Sequence, residues 1–113
     1  MEVRERRVEE EAAAALAAGV AGYALGVEQS DILDTGKRGA NETAFARQVA
    51  MYLCHVAFEL SLARVALAFG RDRSTVSHAC HVIEDRRDDE RFDAWIEALE
   101  AMLRGAPARV AIR

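Results

Sequence analysis

The segment Ser61–Ile83, SLARVALAFGRDRSTVSHACHVI, constrains this chain more than any other. Leu62, Val65, Ala66 and Phe69 recur at i, i+3, i+4 and i+7, the spacing of one helical face. Val76, Ala79, Cys80 and Ile83 repeat that spacing after a hinge at Phe69-Gly70-Arg71-Asp72. Gly70 suits a left-handed helix end and Asp72 suits the cap of a following helix. Two short helices joined by a tight glycine turn form a helix-turn-helix. The second helix opens on Arg73, Ser74 and Thr75, followed by Ser77 and His78. Polar donors and acceptors at that place are what a recognition helix presents to base edges and phosphates.

The rest of the chain is read as helical too. It has 113 residues, room for one modest core. Alanine is abundant, β-branched residues are sparse and proline occurs once, at Pro107. The expectation is an all-α protein, a compact bundle of about five helices containing the helix-turn-helix, as one domain over 1–113 with frayed ends near 1–7 and 106–113. No apolar run approaches a membrane span. The opening MEVRERRVEEE lacks the pattern of a secretory signal. Cys54 and Cys80, with no CxxC, read as two buried thiols of a reduced cytoplasmic protein.

Periodicity places the other elements. A first helix over about Val8–Ala24 carries Ala12, Ala15, Leu16, Gly19, Val20 and Tyr23 as a stripe for close packing, and Gly26 ends it. Ser30–Leu33 reads as a capped turn that inserts Ile32 and Leu33 into the core. Thr35–Asn41 is the flexible loop. A second long helix over about Glu42–Glu59 turns Phe45, Val49, Tyr52, Leu53 and Val56 inward. Ser61 caps the next helix, Asp72 the recognition helix to about Arg86, and Asp88 or Asp89 the last. That last helix packs Phe92, Trp95, Ile96, Leu99, Met102 and Leu103, and Gly105-Ala106-Pro107 stops it before a loose tail.

The formal charge of -4 is unusual for a nucleic-acid binder. Its distribution resolves part of the conflict. Residues 1–36 carry 3 basic and 8 acidic side chains, whereas residues 37–87 carry 8 basic and 5 acidic. The region of the hinge is therefore mildly basic, and the acid lies outside it.

An ordered set of short matches now becomes informative. Arg47-Gln48, Ala50-Met51, Ser61-Leu62, Ala68-Phe69-Gly70-Arg71-Asp72, Ser74-Thr75-Val76, His78-Ala79-Cys80 and Ile83-Glu84 resemble, in order, the C-terminal DNA-binding domain of the bacterial replication initiator DnaA. The resemblance runs from about residue 12 to 103. It implies that family's Trp-repressor-like helical fold and double-stranded DNA as the partner. It also implies that Arg47 reaches the minor groove, where a narrow A·T groove attracts a long cation. By the same resemblance Arg71, Asp72, Arg73, Ser74 and Thr75 read bases and phosphates. Asp can accept from a cytosine amino group, Arg can pair with guanine and Thr can touch a thymine methyl. Asp72 also has the structural duty of a cap. Ser77 and His78 extend the reading surface. For His78 a phosphate bond and packing against the first helix of the pair stand equal. Lys37 and Arg38 fall where the family has a basic loop near the backbone.

Three departures stand out. The family's turn has one more residue between Phe and Arg, Arg73 replaces a histidine, and His81-Val82 replaces a basic pair. They bear on which site is read more than on whether a duplex is read. The ATPase region that precedes this domain in the initiator has no room in this chain.

Two functions follow. The first is sequence-specific binding of duplex DNA in transcriptional or replication-initiation regulation, without ATPase activity, in the cytoplasm with the nucleoid. A monomer of this size makes few contacts, so tight binding calls for a homodimer or clustered sites. The second is an interaction module that binds replication-initiation proteins and has little DNA affinity, suggested by the acidic balance. No catalytic constellation is visible, and His78, Cys80 and His81 lack a fourth metal ligand because Cys80 should face inward. No cofactor or metal is expected.

Overall fold

The computed structural model describes residues 3–36 and 40–107. Helix α1 (Val3–Leu25) leads into the short α2 (Gln29–Leu33) and then α3 (Asn41–Ala57). The chain continues through α4 (Leu62–Phe69), α5 (Arg73–Arg86) and α6 (Glu90–Arg104). There is no strand among the described residues. The all-α expectation therefore holds, with α2 added to the five longer helices.

Helix α3 is the centre. Ala46, Val49, Ala50, Met51, Tyr52, Leu53 and Cys54 are all buried on it. Buried residues on nearly every side match a helix packed against α1, α2, α4, α5 and α6 together. Phe45 and Val56 are only half-buried, at its two ends.

The burying face of α1 differs from the one that spacing suggested. Ala14, Ala17, Ala18, Ala21 and Gly22 face the core, whereas Leu16 is 41 % and Tyr23 89 % exposed. The physical reason lies in composition. From Ala12 onward small residues lie on every side of the helix, so hydrophobic contrast does not select a side. Close approach to α3 does, and it takes the alanine ridge. Helix α1 also begins earlier than expected, already formed at Val3.

The turns follow local chemistry. Gly26 (φ 70°) closes α1, with Val27 N–H donating to Gly22 O at 2.9 Å. Ser61 accepts from Arg64 N at 3.2 Å and caps α4. Asp89 accepts from Arg91 N and Phe92 N and caps α6. Three expectations need correction. Asp72 occupies the cap position of α5, but its carboxylate makes no capping hydrogen bond. Helix α2 starts after Glu28 with no side-chain cap, although Ile32 is buried as expected. Met102 is 56 % exposed, so the α6 stripe narrows to Ile96, Leu99 and Leu103, with Phe92 and Trp95 half-buried.

One polar cluster ties the far end of the helix-turn-helix to the centre. Arg87, just past α5, donates from Nη1 to Glu100 Oε1 (2.7 Å) and to the Tyr52 hydroxyl (2.9 Å). Its Nε donates to Asp93, and the Tyr52 hydroxyl donates to Glu84 Oε1 at 2.7 Å. Burial alone would lower the Arg87 pKa, but the hydrogen bonds it donates to Asp93, Tyr52 and Glu100 outweigh it and raise it. Arg86 lies over both Phe45 and Phe92, 4.7 and 4.6 Å from the ring centroids. These contacts fix α5 against α3 and α6, so its other end projects from a rigid base.

Cys54 is fully buried and Cys80 half-buried, both as free thiols. Burial first, and nearby carboxylates second, push Cys54 up to about 12 and Cys80 up to about 11. The expectation of two buried thiols is thus met fully at Cys54 and partly at Cys80. Residues 108–113, expected as a loose tail, and the loop residues Lys37, Arg38 and Gly39 lie outside the described residues. No described helix is long and apolar enough to cross a membrane.

Candidate nucleic-acid interface

The turn of the helix-turn-helix is built by Gly70. Its φ of 63° is left-handed, where a side chain would be strained. Gly70 N–H donates to Leu67 O and Arg71 N–H to Ala66 O at 2.9 Å, which closes the end of α4 in a Schellman arrangement. The chain then needs only Arg71 and Asp72 before α5 starts. Val65, Ala66 and Phe69 of α4 and Val76, Ala79 and Ile83 of α5 are all buried. Both apolar repeats therefore meet inside, as their spacing predicted.

That packing forces the polar positions outward. Arg73, Ser74, Thr75 and His78 are exposed, and Ser77 is half-buried. His78 does not pack away beneath the first helix of the pair. It lines a cleft together with Thr75, Asp72, Arg71 and Gly70 on one side and Ala44, Arg47, Gln48 and Met51 of α3 on the other. The cleft thus joins α3 to the start of α5. Thr75 N and Val76 N bond to Asp72 O, at 3.0 and 3.2 Å.

Arg47 differs from the exposed, outward-reaching cation that the sequence suggested. It is 6 % exposed. Its Nε donates to Ile32 O and its Nη2 to Asp31 O, each at 2.8 Å. The guanidinium therefore serves the carbonyl end of α2 while it lines the cleft. Arg71 is half-buried and its Nη2 donates to Asp34 O at 2.7 Å. Its Nε is buried without a hydrogen-bond partner among the described residues. Burial, and then the charge of Arg71, lower the Arg47 pKa, while Asp34 acts the other way. Arg47 and Arg71 thus line one cleft together with the Asp72 carboxylate.

Of the residues singled out from sequence, Arg47, Arg71, Asp72, Thr75 and His78 line this cleft. Arg73 and Ser74 are exposed beside them at the start of α5, and Ser77 lies on the same helix. Lys37 and Arg38 cannot be placed, being outside the described residues. Gln48, Met51 and Ala44 were missed as lining residues. Their signal was present: 44, 47/48 and 51 follow helical spacing on α3. Thr35 and Asp34 were also missed as neighbours of the turn, and no local pattern marks them. No group of His, Cys, Asp and Glu able to hold a metal exists among the described residues.

Comparison with known proteins agrees with this geometry. A family model described as the bacterial dnaA protein helix-turn-helix matches residues 19–83. The chromosomal replication initiator protein DnaA of Aquifex aeolicus is 41 % identical over 80 residues, covering 69 % of this chain and 19 % of the relative. DnaA 1 of Chlamydia pneumoniae is 38 % identical over 68 residues, covering 60 % of this chain and 14 % of the relative. The chain therefore spans less than a fifth of these relatives. Among solved structures, replication initiator DnaA bound to AMPPCP and single-stranded DNA superimposes with a TM-score of 0.74 and 28 % identity. That match covers 90 % of this chain and 31 % of the other.

Proposed function

The chain belongs to the bacterial DnaA helix-turn-helix family, and on that basis we propose that it binds double-stranded DNA sequence-specifically in replication-initiation or transcriptional control. The observation that carries this reading is the start of α5. Arg73, Ser74, Thr75 and His78 are exposed there, beside the cleft that Arg47 and Arg71 line. Main-chain N–H groups of the first turn and the positive helix end suit a phosphate. The side chains beyond them suit base edges in the major groove.

The site we propose comprises Arg71, Asp72, Arg73, Ser74, Thr75, Ser77 and His78 of the turn and α5, Arg47 of α3, and Lys37 and Arg38 of the preceding loop. The uncapped Asp72 carboxylate is available to accept from a base amino group. The matched region is the helix-turn-helix alone, so the proposed role is binding without ATP hydrolysis, in the cytoplasm with the nucleoid. The few contacts available to one copy favour two copies on paired sites when binding is tight.

Fluorescence anisotropy with random, A·T-rich and initiator-box duplexes at two salt concentrations tests the reading. Binding should differ between duplexes, weaken with salt, and weaken further in Arg73→Ala and Thr75→Ala. No binding to any duplex at low salt would overturn it. A second reading, docking of a basic replication-initiation protein, is favoured by the 8 acidic and 3 basic side chains of residues 1–36. It predicts capture of such a partner by the wild-type chain, reversed by salt, with duplex DNA left unbound.

A further inference from the structure

Four contacts fasten one short segment, Asp31–Thr35, to α3 and to the turn of the helix-turn-helix. Arg47 donates to Asp31 O and Ile32 O from the central helix. Arg71 donates to Asp34 O from the turn itself. Thr35 lies on the turn so closely that a Cβ at Gly70 would stand 2.5 Å from Thr35 Cγ2. Ile32 anchors the segment in the core and Gln29 Nε2 donates to Ala15 O of α1, but beyond Leu33 these polar contacts carry it. Helix α2 has only five residues, too few to persist alone. Its carbonyl end is left open by the helix and needs outside donors.

We propose that Arg47 and Arg71 are positioning residues, a latch that holds Asp31–Thr35 against α3 and the start of α5. This inference rests on the duplex-binding reading and deepens it. Asp31–Thr35 and the recognition helix then meet a duplex as one fixed surface, with the ordering cost of that segment already met before binding. The residue type matters here. A guanidinium presents its donors in a planar fork, so Nε and Nη2 of Arg47 reach two successive carbonyls at once. A lysine keeps the charge but offers a single ammonium point. The shortened turn is consistent with this arrangement, because Arg71 follows Gly70 directly and so reaches Asp34 O.

The test is amide hydrogen exchange by NMR together with duplex binding at several salt concentrations. Wild type is compared with Arg47→Lys and Arg71→Lys. The amides of Ile32, Asp34 and Gly36, bonded to Glu28 O, Asp31 O and Asp34 Oδ1, report on the segment. Val49 and Val76 report on the core. Exchange of the three segment amides should rise about tenfold or more in each variant, with the core amides still protected. Discrimination between duplexes should fall in parallel. The slope of log K against log salt should stay unchanged, because no charge is removed. Unchanged exchange in both variants would overturn the latch. So would faster exchange with duplex affinity and discrimination fully retained. If Arg47→Lys also loses core protection, the half-buried Arg71→Lys decides the matter. Failure of the wild-type chain to bind any duplex would sink the DNA reading by itself, and exchange would still decide whether the latch exists.

Discussion

Replacing Arg87 with methionine should destabilise the fold more than any single surface change. Methionine keeps much of the stem volume and removes the guanidinium. Glu100, 5 % exposed, then loses its 2.7 Å bond and retains Arg104, whose Nη1 is 3.5 Å away and whose side chain is 54 % exposed. The Tyr52 hydroxyl loses a donor and Asp93 loses its partner. Removing one member of a buried ion pair costs about 3–5 kcal/mol. Asp93 is 40 % exposed and can rehydrate, and Arg104 remains, which places the cost near about 3 kcal/mol. Unfolding entropy near 60 °C is about 2.1 cal/mol/K per residue, or about 0.24 kcal/mol/K for this chain, so Tm should fall by about 13 °C. Thermal and urea unfolding followed by circular dichroism measure both quantities, with an unchanged m-value showing that the two-state comparison holds. The double variant Arg87→Met with Glu100→Gln should be more stable than Arg87→Met alone, because no uncompensated buried charge remains. A loss below about 1 kcal/mol, or a double variant less stable than the single, would refute the reasoning.

Other expectations follow from local features. Glu59 sits at φ 57° without being glycine, so Glu59→Gly should raise stability by about 1 kcal/mol in urea unfolding. Asp89→Ala removes both capping bonds of α6 and should cost about 1 kcal/mol in the same assay. Alkaline pH should weaken the fold. Burial, then the bond to Glu84, raises Tyr52 to about 12, and burial raises Cys54 to about 12, so the native state holds protons that the unfolded chain releases earlier. Their contribution is complete below about pH 9 and should be lost between about pH 9 and 12 in urea titrations, with Cys54→Ala flattening the lower part of that decline.

How much of this was legible in the sequence varies with the kind of signal. The helix-turn-helix was readable because both apolar repeats, Gly70, and the polar start of α5 agree on one geometry. Ser61 was readable as a cap, and the α6 cap was narrowed to Asp88 or Asp89, because a clear apolar period follows each; only the structure selects Asp89. The face of α1 was not, since an alanine-rich helix has similar hydrophobicity on several sides and only packing against α3 distinguishes them. Asp72 was read as a capping side chain from residue type, whereas the backbone carbonyl alone takes the first amides of α5. Arg47 shows the main limit. Its place in the family pattern and its mid-helix position suggested an outward cation. Its burial depends on where α2 ends, a contact across fifteen residues with no local mark. The cleft was half visible, since its α5 wall lies in the turn, but its α3 wall needed the fold.

The central claim is that duplex DNA lies on the start of α5, and an NMR titration of the labelled chain with a short duplex tests it most directly. Amide shifts should concentrate at Asp72–His78 and Gln48, with Glu90–Arg104 of α6 unmoved. No shifts at low salt, or shifts confined to α6 or the outer face of α1, would contradict the account.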